Sequence, residues 1–120
     1  MKRNMDLIRK ILLAIEEKGG DPRCYVDLDI QDHSNEEVSY HVQLLEEAGL
    51  LEAVSLSTRS RFDVRPKRLT WYGHEFLDAA KNDTVWKKAK EIISEKGGSI
   101  PFDVLKALLI KLASSVFGLG

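Results

Sequence analysis

The spacing of apolar residues constrains this chain most, because it changes from helical to strand periodicity and back within the first seventy residues. Residues 4–18 and 35–48 each carry one apolar stripe at helical spacing. Residues 25–30 alternate between apolar and acidic positions, which predicts a half-buried strand. Residues 52–57 and 61–69 predict two further strands around a polar tip. The pattern therefore predicts helix, strand, helix and hairpin, in that order.

Local signals predict where these elements begin and end. Asn4 is a candidate N-cap of the first helix, and Gly19 is a candidate stop. Ser34 is a candidate N-cap of the second helix, with Glu37 at capping-box spacing. The inward face of that helix is predicted to carry an apolar stripe with one histidine: Val38, His41, Val42, Leu45 and Ala48.

Three further helices are predicted after the hairpin, over residues 71–80, 84–95 and from about 99–101 to 116. Thr70 and either Asn82 or Asp83 are candidate caps, and Pro101 is tolerated in a first turn. Pro66 cannot donate to a strand ladder, so we expect it at an edge or at a strand end. Aromatic side chains in these helices are interpreted as packing residues rather than a base-stacking platform: Trp71, Tyr72, Phe76 and Trp86.

Several segments look like a winged helix. Residues 38–50 resemble the recognition helix of that class, and residues 69–77 resemble the Leu-Thr-x-x-Gly-x-x-Phe-Leu segment that follows the wing. The opening Met-Lys-Arg-x-Met-Asp-Leu-Ile-Arg is similar to that of an uncharacterised bacterial and prophage family. This family in turn resembles the YjcQ-type winged-helix proteins. The resemblance implies a winged helix in a phage or mobile-element setting, and no established activity.

The expected fold is therefore mainly α with a small antiparallel β-sheet. We expect a winged-helix domain over residues 1–80 and a C-terminal helical extension over residues 81–120, packed as one structural unit. Only 16 residues separate Lys18 from Asn35, so the positioning helix that precedes a recognition helix is expected to be one turn at most.

Charge is distributed unevenly along a chain whose formal net charge is only −1. Residues 26–58 hold eight acids and no Lys or Arg, whereas residues 59–68 hold five basic residues and one acid. Phosphate contacts usually need Lys or Arg, so the wing can supply them and the second helix cannot. The predicted phosphate-binding residues are Arg59, Arg61, Arg65, Lys67 and Arg68. The predicted groove-facing residues are Asn35, Ser39, Tyr40 and Gln43.

Two functions follow from this distribution. The first is a transcriptional regulator that binds double-stranded DNA through the basic wing. The second is an interaction module that binds a host protein through the acidic helix, on a surface of Glu36, Tyr40, Gln43 and Glu47. The wing itself has two interpretations, since its arginines either bind phosphates or pair with Asp27, Asp29 and Glu52.

Other classes of function find little support in the sequence. No catalytic constellation, cofactor motif or zinc-ligand spacing is present, so we expect neither an enzyme nor a metal or cofactor site. One cysteine, Cys24, excludes an intrachain disulfide, which together with the absence of a membrane-span pattern predicts a cytoplasmic protein. The last helix has a wide apolar arc, which favours either a homodimer or packing on the first helix.

Overall fold

A computed structural model describes residues 1–116 and residue 118. Within these residues five helices and two strands follow one another: α1 (Met5–Lys18), α2 (Asn35–Glu47), β1 (Leu51–Ser55), β2 (Val64–Leu69), α3 (Trp71–Ala80), α4 (Asp83–Glu95) and α5 (Phe102–Val116). The mainly α class with a small antiparallel sheet is confirmed, and the order of elements is consistent with a winged-helix-like arrangement. Phe117, which the sequence places beside the apolar arc of the last helix, lies outside the described residues.

Contacts divide the chain into two compact units, Met1–His74 and Glu75–Gly120. The first unit contains α1, α2 and the hairpin, and the second contains α4 and α5. The predicted domain limits at residue 80 stay a prediction, because this division concerns contacts within each unit.

Helix α1 forms where its apolar spacing and caps predict it. The Asn4 side chain accepts a hydrogen bond from the backbone N–H of Leu7 at 3.1 Å, and the N–H of Gly19 donates to the Ile15 carbonyl at 2.8 Å. The buried side chains are those of the predicted stripe: Leu7, Ile8, Ile11, Leu12 and Ile15. Both ends and the buried face of α1 are thus local properties of its sequence.

The strand predicted over residues 25–30 does not form. The N–H of Val26 donates to the Pro66 carbonyl at 2.7 Å, but Pro66 has no N–H with which to close a reciprocal pair. The alternation of apolar and acidic residues is visible only in their burial, since Val26 is buried whereas Asp27 and Asp29 are exposed. No helix lies between α1 and α2, so the expected shortness of the positioning helix is confirmed.

Helix α2 is held by side-chain hydrogen bonds at its start and on its inner face. The Ser34 hydroxyl accepts from the Glu37 N–H at 3.1 Å, as the capping-box spacing predicts. His41 is fully buried, its Nε2 accepts from the Asn4 N–H at 2.8 Å, and its Nδ1 lies 2.8 Å from the Glu37 carbonyl. These two bonds assign the proton to Nδ1. Ala48 is exposed rather than inward, because α2 ends at Glu47.

Strands β1 and β2 pair antiparallel, with Leu51 opposite Leu69 and Ser55 opposite Val64. An irregularity after Glu52 leaves Lys67 without a partner in the register, beside Pro66, which lies opposite Ala53. Pro66 is tolerated inside β2 because both strands of a two-stranded sheet are edges. Both strands are shorter at the tip than predicted. Beyond them the Leu56 N–H still donates to the Asp63 carbonyl at 2.7 Å, and the Ser57 hydroxyl accepts from the Asp63 N–H at 2.9 Å.

Helix α3 begins at a cap that also ties it to the end of α2. The Thr70 hydroxyl accepts from the Gly73 N–H at 3.1 Å and donates to the Gly49 carbonyl at 2.5 Å. Gly73 is required here, because a Cβ at this position would lie 1.9 Å from the Leu50 carbonyl oxygen. The Leu-Thr-x-x-Gly motif therefore has a packing role at this junction.

The second unit is built around the contact between α4 and α5. Asn82 caps α4 by accepting from the Val85 N–H at 3.0 Å. The rings of Phe76 and Phe102 lie 4.6 Å apart between centroids. The helix residues that are buried include Val85, Trp86 and Ala89 of α4 and Leu105 and Leu109 of α5.

Candidate functional site

Arg65 is the central cation of the hairpin, and it is engaged by three neighbours. Its guanidinium donates to Asp27 at 2.6 Å and to both carboxylate oxygens of Asp63 at 3.1 Å. The same group lies 4.8 Å from the centroid of the Tyr25 ring, within cation–π range. Three-quarters of the Arg65 side chain is buried, so this network holds the charge within the protein.

Asp63 organises the hairpin through both its side chain and its backbone. Asp63 is buried, and its carboxylate is paired with the Arg65 guanidinium at 3.1 Å. The hydrogen bonds from the Arg65 guanidinium hold the pKa of the Asp63 carboxyl below its ordinary value, although burial acts in the opposite direction. The Asp63 carboxylate in turn raises the pKa of Arg65. Asp63 therefore stays ionised and keeps Arg65 in place.

The other hairpin cations differ in how strongly they are paired. Arg68 forms a two-pronged contact with Glu52, at 3.1 and 2.8 Å, and both side chains are about half exposed. Arg61 lies 3.7 Å from Asp63, a distance too long for a hydrogen bond. Within the described part of the chain, Arg59 and Lys67 have no ion pair. The intramolecular interpretation of the wing thus applies to Arg65 and Arg68 and leaves Arg59 and Lys67 available.

Four of the predicted phosphate-binding residues border two different clefts. Arg61 and Arg65 border a cleft of about 190 Å³ that Asn35 of α2 also lines. Lys67 and Arg68 border another cleft, lined on its far side by the end of α1 at Gly19. Arg61 and Arg65 therefore line a different cleft from Lys67 and Arg68.

Ser39 corrects one prediction. It is 4 % exposed, and its hydroxyl accepts a hydrogen bond from the Val64 N–H at 3.0 Å. The side chain joins α2 to β2 because its position on the helix faces the hairpin, so it cannot face a DNA groove. Of the other groove-facing candidates, Asn35 is exposed, and Tyr40 and Gln43 are half-buried.

The outer face of α2 is acidic and open. Glu36 and Glu47 are exposed and lie on one stripe with Tyr40 and Gln43, at helical spacing. Among the described residues, neither Glu36 nor Glu47 has a hydrogen bond or ion pair from its side chain. Glu46 differs, because its carboxylate accepts from the Ala53 N–H at 2.7 Å. This stripe therefore has two carboxylates available to an external cation.

One surface residue departs from the sequence-based interpretation. Trp71 is 80 % exposed rather than packed, although Phe76 and Trp86 are buried as predicted. Cys24 is also exposed. An aromatic residue in the first turn of an amphipathic helix gives no local signal of exposure, because burial there depends on which elements cover that turn.

Histidine and acidic residues do not assemble a metal site in the described residues. His33 is instead engaged by Glu37, with Nδ1 2.6 Å from the carboxylate. No described helix combines the length and the apolar character needed to cross a membrane.

Comparisons with known proteins give one family and one relative. Residues 2–99 match the family described as "Hypothetical protein (DUF2513)". The chain is 38% identical over 116 residues to an uncharacterized protein of Haemophilus influenzae, an alignment that covers 97% of this chain and 98% of the relative. No solved structure matches the chain significantly.

Proposed function

The chain belongs to this family of hypothetical proteins (DUF2513), and from that premise we propose that it is a protein-interaction module whose α2 face binds a basic polypeptide surface. One observation carries the proposal: the acids on the outer face of α2 are open, whereas the most buried arginine of the hairpin is neutralised. Glu36 and Glu47 lie on one exposed stripe, and Arg65 is held by Asp27 and Asp63.

Charge at the docking surface supports a cationic partner. Helix α2 contains no Lys or Arg, so a duplex lying against it would bring phosphates close to Glu36 and Glu47. Like charges facing each other across an interface oppose association, whereas complementary charges speed it and select the partner. A Lys- or Arg-rich segment therefore fits this face.

Anisotropy titrations with a labelled deca-arginine peptide test the proposal. We expect binding by the wild-type chain and a loss of about tenfold in affinity for the Glu36→Gln/Glu47→Gln variant, since each exposed pair contributes up to ~1 kcal/mol. Glu95→Gln is the matched control, because Glu95 is an exposed helical acid outside α2. Equal affinity for the α2 variant and this control would contradict the proposal.

A second candidate, DNA binding through the hairpin, is favoured by the exposed tip. Arg59 has no ion pair in the described part of the chain, and Arg61 shares a cleft with Asn35. In this alternative the protein is a regulator in a phage or mobile-element setting. Binding to a labelled duplex would weaken as salt is added. In Arg59→Ala/Arg61→Ala the slope of log affinity against log salt concentration would become shallower by about two, because two phosphate contacts are lost. Absence of duplex binding at about 50 mM salt would exclude this candidate.

A homodimer through α5 is also proposed, because three large apolar side chains of that helix are about half exposed: Val104, Ile110 and Val116. Sedimentation at micromolar concentration would give twice the 13.6 kDa of one chain, and a mass of one chain would contradict it. A cytoplasmic location and the absence of catalysis are part of the proposal.

A further inference from the structure

Trp71 is the most exposed of the large hydrophobic residues in the described part of the chain, at 80 % of full exposure. It is the first residue of α3, directly after Thr70. Thr70 is bonded to the end of α2, because its hydroxyl donates to the Gly49 carbonyl at 2.5 Å and its N–H donates to the Leu50 carbonyl at 3.0 Å. The backbone at Trp71 therefore lies next to the segment that follows α2, and the acidic stripe ends at Glu47 just before that segment.

Packing of the first unit does not explain a tryptophan at this position. The start of α3 is secured by the Thr70 cap and by the close approach of Gly73 to the Leu50 carbonyl. These contacts need no large side chain at residue 71. An isolated exposed apolar residue is common on protein surfaces, but tryptophan is the side chain most enriched among residues that dominate binding energy.

The acids around this end of α2 differ in availability. Glu46 accepts a hydrogen bond from Ala53, and Glu52 is paired with Arg68. Glu47 has neither kind of contact among the described residues. Glu47 stands two residues before Gly49, and Trp71 directly follows Thr70, which is bonded to Gly49. An available carboxylate and an exposed indole at one junction match the two ways in which proteins bind a guanidinium, by charge and by stacking on an aromatic face.

We propose that Trp71 is the anchoring residue of the α2 docking surface and stacks against an arginine of a basic partner segment, with Glu47 supplying the opposite charge. The inference rests on the proposed function, since it specifies the partner chemistry of the same surface. Arginine is the better ligand because its planar guanidinium stacks on an indole, whereas the lysine ammonium is a strongly hydrated point charge.

Tryptophan fluorescence tests the contact directly, because the two tryptophans differ in exposure. Trp71 is open to an aqueous quencher such as acrylamide, whereas Trp86 is 4 % exposed. We expect saturating deca-arginine to protect the wild-type emission from acrylamide. The Trp71→Phe variant, which keeps only the Trp86 emission, should give no change in quenching when peptide is added.

Affinity measurements supply the second test. We expect Trp71→Ala to weaken deca-arginine binding at least about tenfold, Trp71→Phe to weaken it less, and deca-lysine to bind the wild-type chain more weakly than deca-arginine. His74→Ala is the matched control, because His74 is an exposed residue one turn further along α3. Far-ultraviolet circular dichroism establishes that each variant is folded.

The outcomes separate this inference from the function on which it rests. If deca-arginine binds and Glu36→Gln/Glu47→Gln weakens binding, but Trp71 stays fully quenched and Trp71→Ala binds as wild type, the Trp71 contact is wrong and the α2 function stands. If deca-arginine does not bind the wild-type chain, both are wrong. If Trp71→Ala fails to fold, the quenching of the wild-type chain still decides the question.

Discussion

The hairpin and the outer face of α2 carry opposite formal charge, but they differ more in how that charge is engaged. In the hairpin, Arg65 is held by Asp27 and Asp63, and Arg68 is held by Glu52. On α2, the exposed Glu36 and Glu47 have no such partners among the described residues. A basic segment of the sequence has therefore become partly neutral, while the acidic segment has kept two available carboxylates.

This difference shows that the formal charge of a sequence segment does not equal the charge that its surface offers to a binding partner. The hairpin has five basic residues in ten positions, but two of the five are bound to acids that lie elsewhere in the sequence. Affinity for an external polyanion depends on the cations that remain available, because an existing pair must be broken before a phosphate can take its place.

Asp63→Ala should have the largest effect, because it removes the buried partner of Arg65. We expect the free energy of unfolding to fall by about 2–3 kcal/mol, measured by urea denaturation, since a partly buried cation loses its hydrogen-bonded counterion. Asp27→Ala is the control, and it should cost at most ~1 kcal/mol because Asp27 is 81% exposed. Equal losses in the two variants would contradict the unequal roles of these acids.

Ser39→Ala should cost about 1–2 kcal/mol in the same assay, because the buried N–H of Val64 loses its acceptor. This variant tests whether Ser39 joins α2 to β2. Ser94→Ala is the control, because Ser94 is an exposed helical serine. It should change the free energy of unfolding by no more than about 0.5 kcal/mol. Unchanged stability in Ser39→Ala would contradict the role of this hydrogen bond in joining α2 to β2.

Acidification should reduce the stabilisation that Asp63 provides, and this effect should be smaller than the losses expected for Asp63→Ala and Ser39→Ala. Its pKa is lowered in the folded chain, so its stabilisation is complete above the ordinary carboxyl pKa of 3.8 and is lost as the pH falls through the lower folded value. The difference in unfolding free energy between wild type and Asp63→Asn should therefore shrink on acidification below that point. A difference that grows as the pH falls would mean that Asp63 is not held ionised by Arg65.

Arg68→Ala should have the smallest effect, within about 0.5 kcal/mol, because both members of its pair are about half exposed to solvent. The small loss should diminish further with added salt, measured by urea denaturation with and without sodium chloride. A loss as large as that of Asp63→Ala would show that the base of the hairpin is held as tightly as its centre.

Much of the fold follows from local signals. The stripes of α1 and α2, the caps at Asn4, Ser34 and Thr70, and the hairpin itself are recorded in spacing and in cap residues a few positions apart. The strand over residues 25–30 does not follow in this way. Its alternation is real, but pairing depends on the edge it meets, and that edge presents Pro66.

The candidate site was less accessible to prediction. Sequence reasoning identified the basic hairpin and the acidic helix, but Ser39 is an anchor between α2 and β2, Asp63 is buried, and Trp71 is exposed. Each of these depends on what covers a residue from another part of the chain. Periodicity within one element carries no information on that cover.

The sequence by itself determined the helices, the hairpin and the separation of acidic from basic segments, because those properties depend on neighbouring residues. Only the tertiary structure decided which charges are available. The Arg65–Asp27 pair joins residues 38 positions apart, and Trp71 is brought to the end of α2 by the bonds of Thr70 to Gly49 and Leu50. Such contacts depend on how the chain folds back on itself, and they determine which residues can meet a partner.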